Sequence, residues 1–455
     1  MATNAPPPKD TASDAERLRR FRTGFYRCLG GWADTAFELT DAALCAPAPI
    51  CSVPTLSLEP IFRRSHGSLY KALARGGVDA EAMRDLLVEH RPRHWPLVFA
   101  VDASTWARCD AETSPERGFY YSASKHSAGK PIVAGWSYQW ITALDWAMDS
   151  WTAPMDAARI PPKADATDFT AGQVRDLVAR LGNTGQGPVF CFDAGYDAIA
   201  LTHELADVAA AIVVRIRDDR VFYPDPGPPA AGAVGRPRRH GDRFALPDPT
   251  TWPTPDVESS TTDVRYGTVK VSAWHGLHPK LGRRGHWANH DELPIVAGTV
   301  IRVDVEHLPK PTSATKKTLW LWTAGPALDL DTAWRAYLRR FDIEHTFRFV
   351  KNTLGWTTPA LRTPEQADRW TWLVVAAYTQ LRLARGLVDD LRLPWERRRK
   401  PGRLTPARVR RGFRRLGPTL GTPASPPKSQ IPGPGRPKGT RRERRTRYPA
   451  IKKAA

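Results

Sequence analysis

Residues 97–102 read Leu-Val-Phe-Ala-Val-Asp, and residues 189–193 read Val-Phe-Cys-Phe-Asp. Each is a short, continuous apolar run that is closed by an aspartate, which is typical of a buried strand. Residues 210–216 resemble a further strand, and helix-like segments at 171–181 and 199–205 lie between these runs. Because strands alternate with helices, the sequence predicts an α/β fold.

The two aspartates that close these strands are candidate ligands for a metal ion. In an α/β sheet, side chains at the carboxyl ends of strands line the crevice where ligands bind. Asp102 and Asp193 would repel each other there unless they shared a proton or held a cation, and Mg²⁺ prefers oxygen ligands. The alternative is that each aspartate only turns the chain out of its strand.

A third group of polar residues lies in the segment 336–351. On one continuous helix, Tyr337, Arg340, Glu344 and Lys351 fall within an arc of about 60°. Glu344 would then bind metal, while Arg340 and Lys351 would hold phosphate oxygens. The alternative is a solvated helix face on which Arg340 and Glu344 form an ordinary ion pair.

Changes in composition divide the chain into five regions. A pair of short helix-like segments around Gly76 and Gly77 is compatible with a helix-turn-helix, although most such pairs only pack together. We expect strands at 264–274 and 294–305, one long helix from 331 to about 354, and a helix cap at Asp197. The predicted regions are a helical N-terminal region with possible DNA-end binding (1–90), the first part of the core (91–219), a β-rich insertion (220–318), the second part of the core with the polar helix (319–390) and a basic flexible tail (391–455).

The net charge of +20 is concentrated in that tail, where 21 Lys and Arg stand against two acidic residues. Such a tail favours a nucleic-acid partner, because phosphate neutralisation supplies most sequence-independent affinity. We expect the tail to be disordered when free and to bind DNA through Arg436, Lys438, Arg441 and Arg442. Its Gly-Arg-Pro segment at 435–437 would lie in an A·T-rich minor groove, or else act as a flexible basic linker.

Other protein classes are excluded by the same composition. No apolar run approaches the roughly 20 residues of a membrane helix, and the N-terminus lacks the pattern of a secretory signal. The five cysteines are odd in number and have no CxxC spacing, which favours a reduced compartment over disulfides or a zinc site. We therefore expect a cytoplasmic protein without a membrane partner.

The spacing Tyr337-x₂-Arg340-x₃-Glu344-x₆-Lys351 resembles the Y-R-E-K signature of bacterial insertion-sequence transposases. The resemblance covers roughly residues 60–390. It implies an RNase H-like catalytic core, interrupted by the β-rich insertion, with a catalytic triad of Asp102, Asp193 and Glu344. It also implies that the triad binds Mg²⁺, for which Mn²⁺ can substitute, and that Tyr337, Arg340 and Lys351 contact DNA phosphates.

The function that this resemblance implies is DNA transposition. The enzyme would cleave at the terminal inverted repeats of its element and join the ends to target DNA, as a nucleoid-associated homodimer on DNA. In some relatives an aromatic residue of the insertion stacks on a flipped base; Trp274 is the candidate, and a tryptophan packed inside the insertion is the alternative. Two other functions stay open: a catalytically inactive or repurposed DNA-binding protein, and a structure-specific DNA nuclease.

Overall fold

A computed structural model describes residues 13–121, 131–147, 149–183, 185, 187–228, 235–308, 316–400, 402–428, 437–439 and 444–452. The helices in these ranges are α1 Asp14–Arg27, α2 Ala33–Cys45, α3 His66–Arg75, α4 Ala80–Glu89, α5 Ala166–Leu181, α6 Ala198–Glu204, α7 Leu330–Arg339, α8 Asp342–Asn352, α9 Pro364–Leu383 and α10 Pro406–Leu416. The strands are β1 Val98–Ala107, β2 Gly118–Tyr121, β3 Ile132–Ala143, β4 Ala153–Ile160, β5 Val189–Phe192, β6 Ala211–Arg215, β7 Val221–Phe222, β8 Phe244–Ala245, β9 Val257–Asp263, β10 Gly267–Leu277, β11 Gly298–Val305 and β12 Thr318–Ala324.

Ten of these strands form one mixed sheet in the order β2-β3-β1-β5-β6-β12-β11-β10-β9, with β4 paired to β3. Strands β1, β3 and β4 form an antiparallel meander, and β5 and β6 continue the sheet parallel to β1. Helices pack against this sheet around a single large hydrophobic core. The expected α/β fold with an RNase H-like core is confirmed.

The β-rich insertion is also confirmed, and it continues the sheet of the core. Strand β12 pairs with β6 on one side and with β11 on the other, so β9, β10 and β11 extend the same hydrogen-bonded ladder. The strand expected at 264–274 begins later, because Asp263 accepts hydrogen bonds from the backbone of Arg265 and Tyr266, and Gly267 has a φ of 70° that suits a tight turn. Strand β9 escaped the sequence analysis because it is a polar, exposed edge.

The N-terminal helices pack behind the sheet, mainly against α9. The predicted pair around Gly76 and Gly77 is present as α3 and α4, and the Asp79 side chain caps α4 by accepting from the backbone of Ala82. Helices α1 and α2 are separated by a turn that contains Gly30 and Gly31. DNA contact by this region stays a prediction.

The expectation that the tail over 391–455 is disordered is wrong for part of its length. Helix α10 buries Val409 and Phe413 completely against α2 and α9, and Arg410 donates hydrogen bonds to the backbone oxygens of Ala43 and Ala48. Further along, the backbone of Ile451 donates to Arg117 beside β2. The high arginine content concealed this amphipathic spacing, because guanidinium groups that reach backbone carbonyls can be buried.

No helix in the described ranges has both the length and the apolar character of a membrane-crossing segment.

A buried ion pair connects the N-terminal helices to α9 and to the segment after α10. Arg22 and Asp41 are each 2 % exposed, and their side chains form two hydrogen bonds of 2.6 and 2.8 Å. Arg22 also donates to the side chain of Gln380 and to the backbone oxygen of Gly421. Four separate segments therefore meet at one guanidinium group.

We predict that Arg22→Ala lowers the free energy of unfolding by about 3–5 kcal/mol, because it leaves the Asp41 carboxylate buried without its partner. Chemical denaturation followed by circular dichroism measures this change. The matched control is Arg175→Ala, which removes an arginine from an exposed pair with Asp207 and should leave stability nearly unchanged. Equal effects of the two substitutions would contradict the prediction.

Candidate active site

The pairing of β1 with β5 brings Asp102 and Asp193 together. These parallel strands pair Val98 with Val189 and Ala100 with Cys191, and the same offset separates Asp102 from Asp193. The two aspartates therefore lie side by side where β5 ends. The expectation that Asp102 ends its strand is wrong, because β1 continues to Ala107 through its antiparallel pairing with β3.

Helix α8 lies over the same face of the sheet as Asp102. Across the β1–β3 ladder, Asp102 is opposite Trp140, so both side chains project from one face. The ring of Trp140 contacts Phe347 of α8 edge-to-face, with the ring centroids 5.8 Å apart. Phe347 follows Glu344 by one turn, and this packing holds Glu344 near Asp102.

The polar helix that carries Glu344 is interrupted, contrary to the expectation of one continuous helix. Helix α7 ends at Arg339, and α8 begins at Asp342. Arg340 and Phe341 keep right-handed helical dihedrals, but the backbone N–H groups of Ile343 and Glu344 bond to carbonyls three residues earlier. The chain is therefore wound more tightly at this point, as in a 3₁₀-helix, and a simple helical wheel does not relate Tyr337 and Arg340 to Glu344 and Lys351.

Asp102 occupies the electrostatic centre of the site. Its side chain is almost fully buried, and burial raises the pKa of its carboxyl to about 7. Arg340 lowers this pKa, since its Nη1 lies 3.4 Å from Oδ2 of Asp102, whereas the charges of Asp193 and Glu344 raise it. Asp102 thus interacts with both other carboxylates of the predicted triad.

The Asp193 carboxylate is oriented by the turn that follows β5. Its Oδ1 accepts a hydrogen bond of 2.8 Å from the backbone N–H of Gly195. A Cβ atom at position 195 would lie only 3.0 Å from this oxygen, so glycine leaves room for the carboxylate. Four residues further on, Asp197 accepts from the backbone of Ile199 and Ala200, which confirms the expected helix cap.

Three further residues of the predicted site surround these carboxylates. The ring of Tyr337 is buried, and the guanidinium carbon of Arg340 lies 5.6 Å from its centroid. Lys351 is half-buried, with its Nζ within 6 Å of the ring centroids of Phe347 and Trp356. Burial lowers the pKa of the Lys351 ammonium group, whereas the charges of Glu344 and Asp102 act in the opposite direction. All six residues of the predicted triad and signature therefore belong to one constellation.

Two residues of this site were missed by the sequence analysis. Tyr196 follows Asp193 by three positions, donates to the buried Gln139 side chain, and has a pKa well above its usual value because of burial and of the charges of Asp102 and Asp193. Arg215 ends β6 next to Asp193 in the parallel register, and its charge acts on Tyr337. Strand-end position, the signal that identified Asp193, also identifies Arg215.

The buried hydrogen-bond network behind Tyr196 extends well away from the site. Gln139 donates to Gln173, and Gln173 in turn donates to the carboxylate of Asp156. Asp156 is paired with Arg84 of α4 at 2.8 Å. This chain of polar side chains connects the candidate site to the N-terminal helices.

The predicted base-stacking residue, Trp274, is 4 % exposed. Its ring packs against Phe244, Trp252 and Trp320, with centroid separations of 5.1 to 6.0 Å, and its Nε1 donates to the backbone oxygen of Pro253. This is the packing role that the sequence analysis gave as the alternative. Stacking on a base would require the cluster to open, and that role stays a prediction.

Of the four tail residues that are predicted to bind DNA, one lies within the described residues. Lys438 is exposed in the short described stretch 437–439. Arg436, Arg441 and Arg442 lie outside the described residues. Their binding of DNA stays a prediction from charge.

A second group of possible metal ligands lies between α5 and the insertion. Among the described residues, ligand atoms of Asp165, Asp168 and His286 all lie within 4.8 Å of one another, whereas those of the predicted triad do not form such a group. Asp165 caps the N-terminus of α5, and Asp168 lies in its first turn. Acidic residues are common at this position because they interact favourably with the helix dipole.

The donor set of the triad nevertheless fits a divalent cation. It consists of carboxylate oxygens, which hard divalent ions prefer, and at its centre is the buried Asp102, whose charge the nearby Arg340 only partly compensates. Arg340, Lys351 and Tyr337 lie near the carboxylates, and their cationic and phenolic groups are suited to bind phosphate oxygens. These residue types are the ones that metal-dependent reactions at phosphorus use.

Comparison with known proteins agrees with this chemistry. A family model described as DDE superfamily endonuclease matches residues 24–280, which include Asp102 and Asp193 but end before Glu344. No curated protein matches the chain. The family implies nuclease chemistry on a nucleic-acid substrate, which is typically dependent on a divalent metal. From its matched sequence and its sheet, the chain belongs to the DDE superfamily of endonucleases.

Proposed function

We propose that this protein is a DNA transposase that cleaves the ends of its own element and joins them to target DNA with Mg²⁺. The observation that supports this most is the position of Asp102, which interacts electrostatically with both Asp193 and Glu344. Carboxylates on β1, just after β5 and on α8 are thus close enough to interact electrostatically, although they are far apart in sequence. The spacing of Tyr337, Arg340, Glu344 and Lys351 adds the resemblance to insertion-sequence transposases.

Both proposed reactions are displacements at phosphorus that need no covalent protein intermediate. In cleavage, the oxygen of water bonds to phosphorus and the bond to the 3′-oxygen breaks, which leaves a free 3′-hydroxyl. In joining, that 3′-hydroxyl attacks a target phosphodiester, and the target strand is released with its own 3′-hydroxyl. One site can therefore perform both steps in sequence.

The residues of the chain would divide the work in these steps. Asp102, Asp193 and Glu344 would hold the divalent metal, which stabilises the attacking and leaving oxygens when it is bound. Arg340 and Lys351 would bind phosphate oxygens, with Tyr337 positioning Arg340 and Arg215 adding a further cation next to Asp193. We further propose that a homodimer assembles on DNA, because two element ends must be joined together.

We predict that Mg²⁺ raises the melting temperature of the protein, because an ion bound only by the folded state stabilises it. The free energy of unfolding rises by about 2.7 kcal/mol when the ion is present at one hundred times its Kd. Differential scanning fluorimetry over a Mg²⁺ titration measures the rise in melting temperature. Asp193→Asn should make this rise smaller. The control is Asp165→Asn, which keeps a capping side chain and should respond to Mg²⁺ like the parent. Loss of the response in the control alone would place the cation in the other cluster.

We predict that Asp102→Ala, Asp193→Ala and Glu344→Ala each reduce DNA cleavage by about a thousandfold or more, because each removes several kcal/mol of transition-state stabilisation. The assay is Mg²⁺-dependent nicking of a supercoiled plasmid that carries the DNA flanking the reading frame. DNA binding in gel-shift assays should be nearly unchanged. Asp197→Asn is the matched control and should cleave like the parent. Cleavage by a triad variant at the parental rate would refute the proposal.

Strand transfer separates a transposase from a structure-specific nuclease with the same core. We expect a precleaved duplex end with a free 3′-hydroxyl to be joined covalently to a target plasmid when protein and Mg²⁺ are present. The joined product is measured on denaturing gels with a labelled end. A protein that cuts branched DNA but never joins this end would be a nuclease.

A further inference from the structure

A cleft of about 530 Å³ lies in the N-terminal helical region, outside the strands and helices that carry the catalytic residues. It is formed by the turn between α1 and α2, the segment that leads into α3, and residues 427–428 that follow α10. Its size is in the range of small-ligand sites. Residues that line it include Tyr26, Trp32, Arg63, Arg64, Ser68 and Lys428.

Trp32 has an unusual backbone conformation at this cleft. Its φ of 66° and ψ of 25° lie in the left-handed region, which is disfavoured for a bulky residue, although Gly30 and Gly31 directly precede it. The residue precedes α2 without a capping hydrogen bond from its side chain. The residue is 37 % exposed, so more than a third of its surface is open to solvent beside the cleft. Strained residues of this kind are concentrated at functional sites.

One cation lies over the Trp32 ring, and further cations line the cleft. The Nζ of Lys71 lies 5.6 Å from the ring centroid of Trp32. Arg63 and Arg64 are held in place by the buried Glu38 carboxylate, and Arg64 also pairs with Asp34. With Lys428, four cations stand against two carboxylates, so the cleft favours an anionic ligand.

A second exposed aromatic residue lies on the same helix as Lys71. Tyr70 is 51 % exposed, and its ring packs edge-to-face with His66 at 5.2 Å between centroids. Aromatic rings interleaved with cations are the combination that binds single-stranded nucleic acid, because bases stack on the rings while cations hold the phosphates. The bases of a duplex are already stacked on one another and would not offer a free face to Trp32.

We propose that this face binds unpaired nucleotides of DNA, with one base stacked on Trp32 and the adjoining phosphates held by Arg63, Arg64, Lys71 and Lys428. This inference rests on the nucleic-acid substrate of the proposed function. It assigns a binding role to the N-terminal region that is separate from the carboxylate site.

The test uses the full chain with EDTA, so that no cleavage occurs, and with enough salt to weaken phosphate contacts of the basic tail. The probe is a thymidine oligonucleotide of about 12 nucleotides, and fluorescence anisotropy measures its affinity. We expect Trp32→Gly to weaken binding between about fivefold and a hundredfold, the range for loss of one base–aromatic stack. Its melting temperature should fall only modestly, because glycine relieves the strain of positive φ while the packing of the partly buried ring is lost.

Two further variants and a crosslink make the result specific. Trp32→Phe should restore most of the affinity, and Trp146→Ala, which removes a tryptophan that is 42 % exposed elsewhere, should bind like the parent. Photocrosslinking with iododeoxyuridine in the probe should label the peptide that contains Trp32. Parental affinity of Trp32→Gly, or an equal loss in Trp146→Ala, would overturn the inference. The probe is bound without metal or cleavage, so failure of this test is distinguishable from failure of the cleavage proposal.

Discussion

The burial of the Asp102 carboxylate beside two others is the constraint on which the rest of the structure depends. Charges of equal sign repel strongly when they are withdrawn from water, and the Arg340 guanidinium compensates only part of this repulsion. The surrounding scaffold must therefore supply the free energy that keeps these groups together. A site that is costly to assemble without a cation is also one that a cation can stabilise.

That scaffold is rigid on both sides of Asp102. Strand β1 is paired in parallel with β5 and antiparallel with β3, so its backbone is fixed by hydrogen bonds in both directions. Above it, a cluster of rings that includes Trp106, Trp140, Phe347 and Trp356 fixes α8 against the sheet. Rigid positioning of this kind is what catalysis at phosphorus requires, because its rate depends on geometry and electrostatics more than on covalent chemistry.

The proposed nucleotide-binding face and the candidate catalytic carboxylates belong to different parts of the chain. The carboxylates lie on β1, β5 and α8, whereas the cationic and aromatic face around Trp32 belongs to the N-terminal helices. The polar chain from Tyr196 to Arg84 connects these parts through buried side chains, and the Arg22–Asp41 pair connects the N-terminal helices to α9.

The sequence by itself determined the α/β class, the β-rich insertion and the residue types of the candidate site, because short apolar runs and acidic strand ends are local signals. It did not reveal that β1 continues past Asp102, that the helix tightens at Arg340, or that α10 folds onto α2 and α9. Only the tertiary structure decided these features, because each depends on partners distant in the chain. The extension of β1 depends on its pairing with β3, the tightened helix lies beside Asp102, and α10 is held by the carbonyls of Ala43 and Ala48. The same reason explains why the exposure of the two tryptophans could not be predicted. Neighbours that the local sequence does not specify bury Trp274 and leave Trp32 partly exposed.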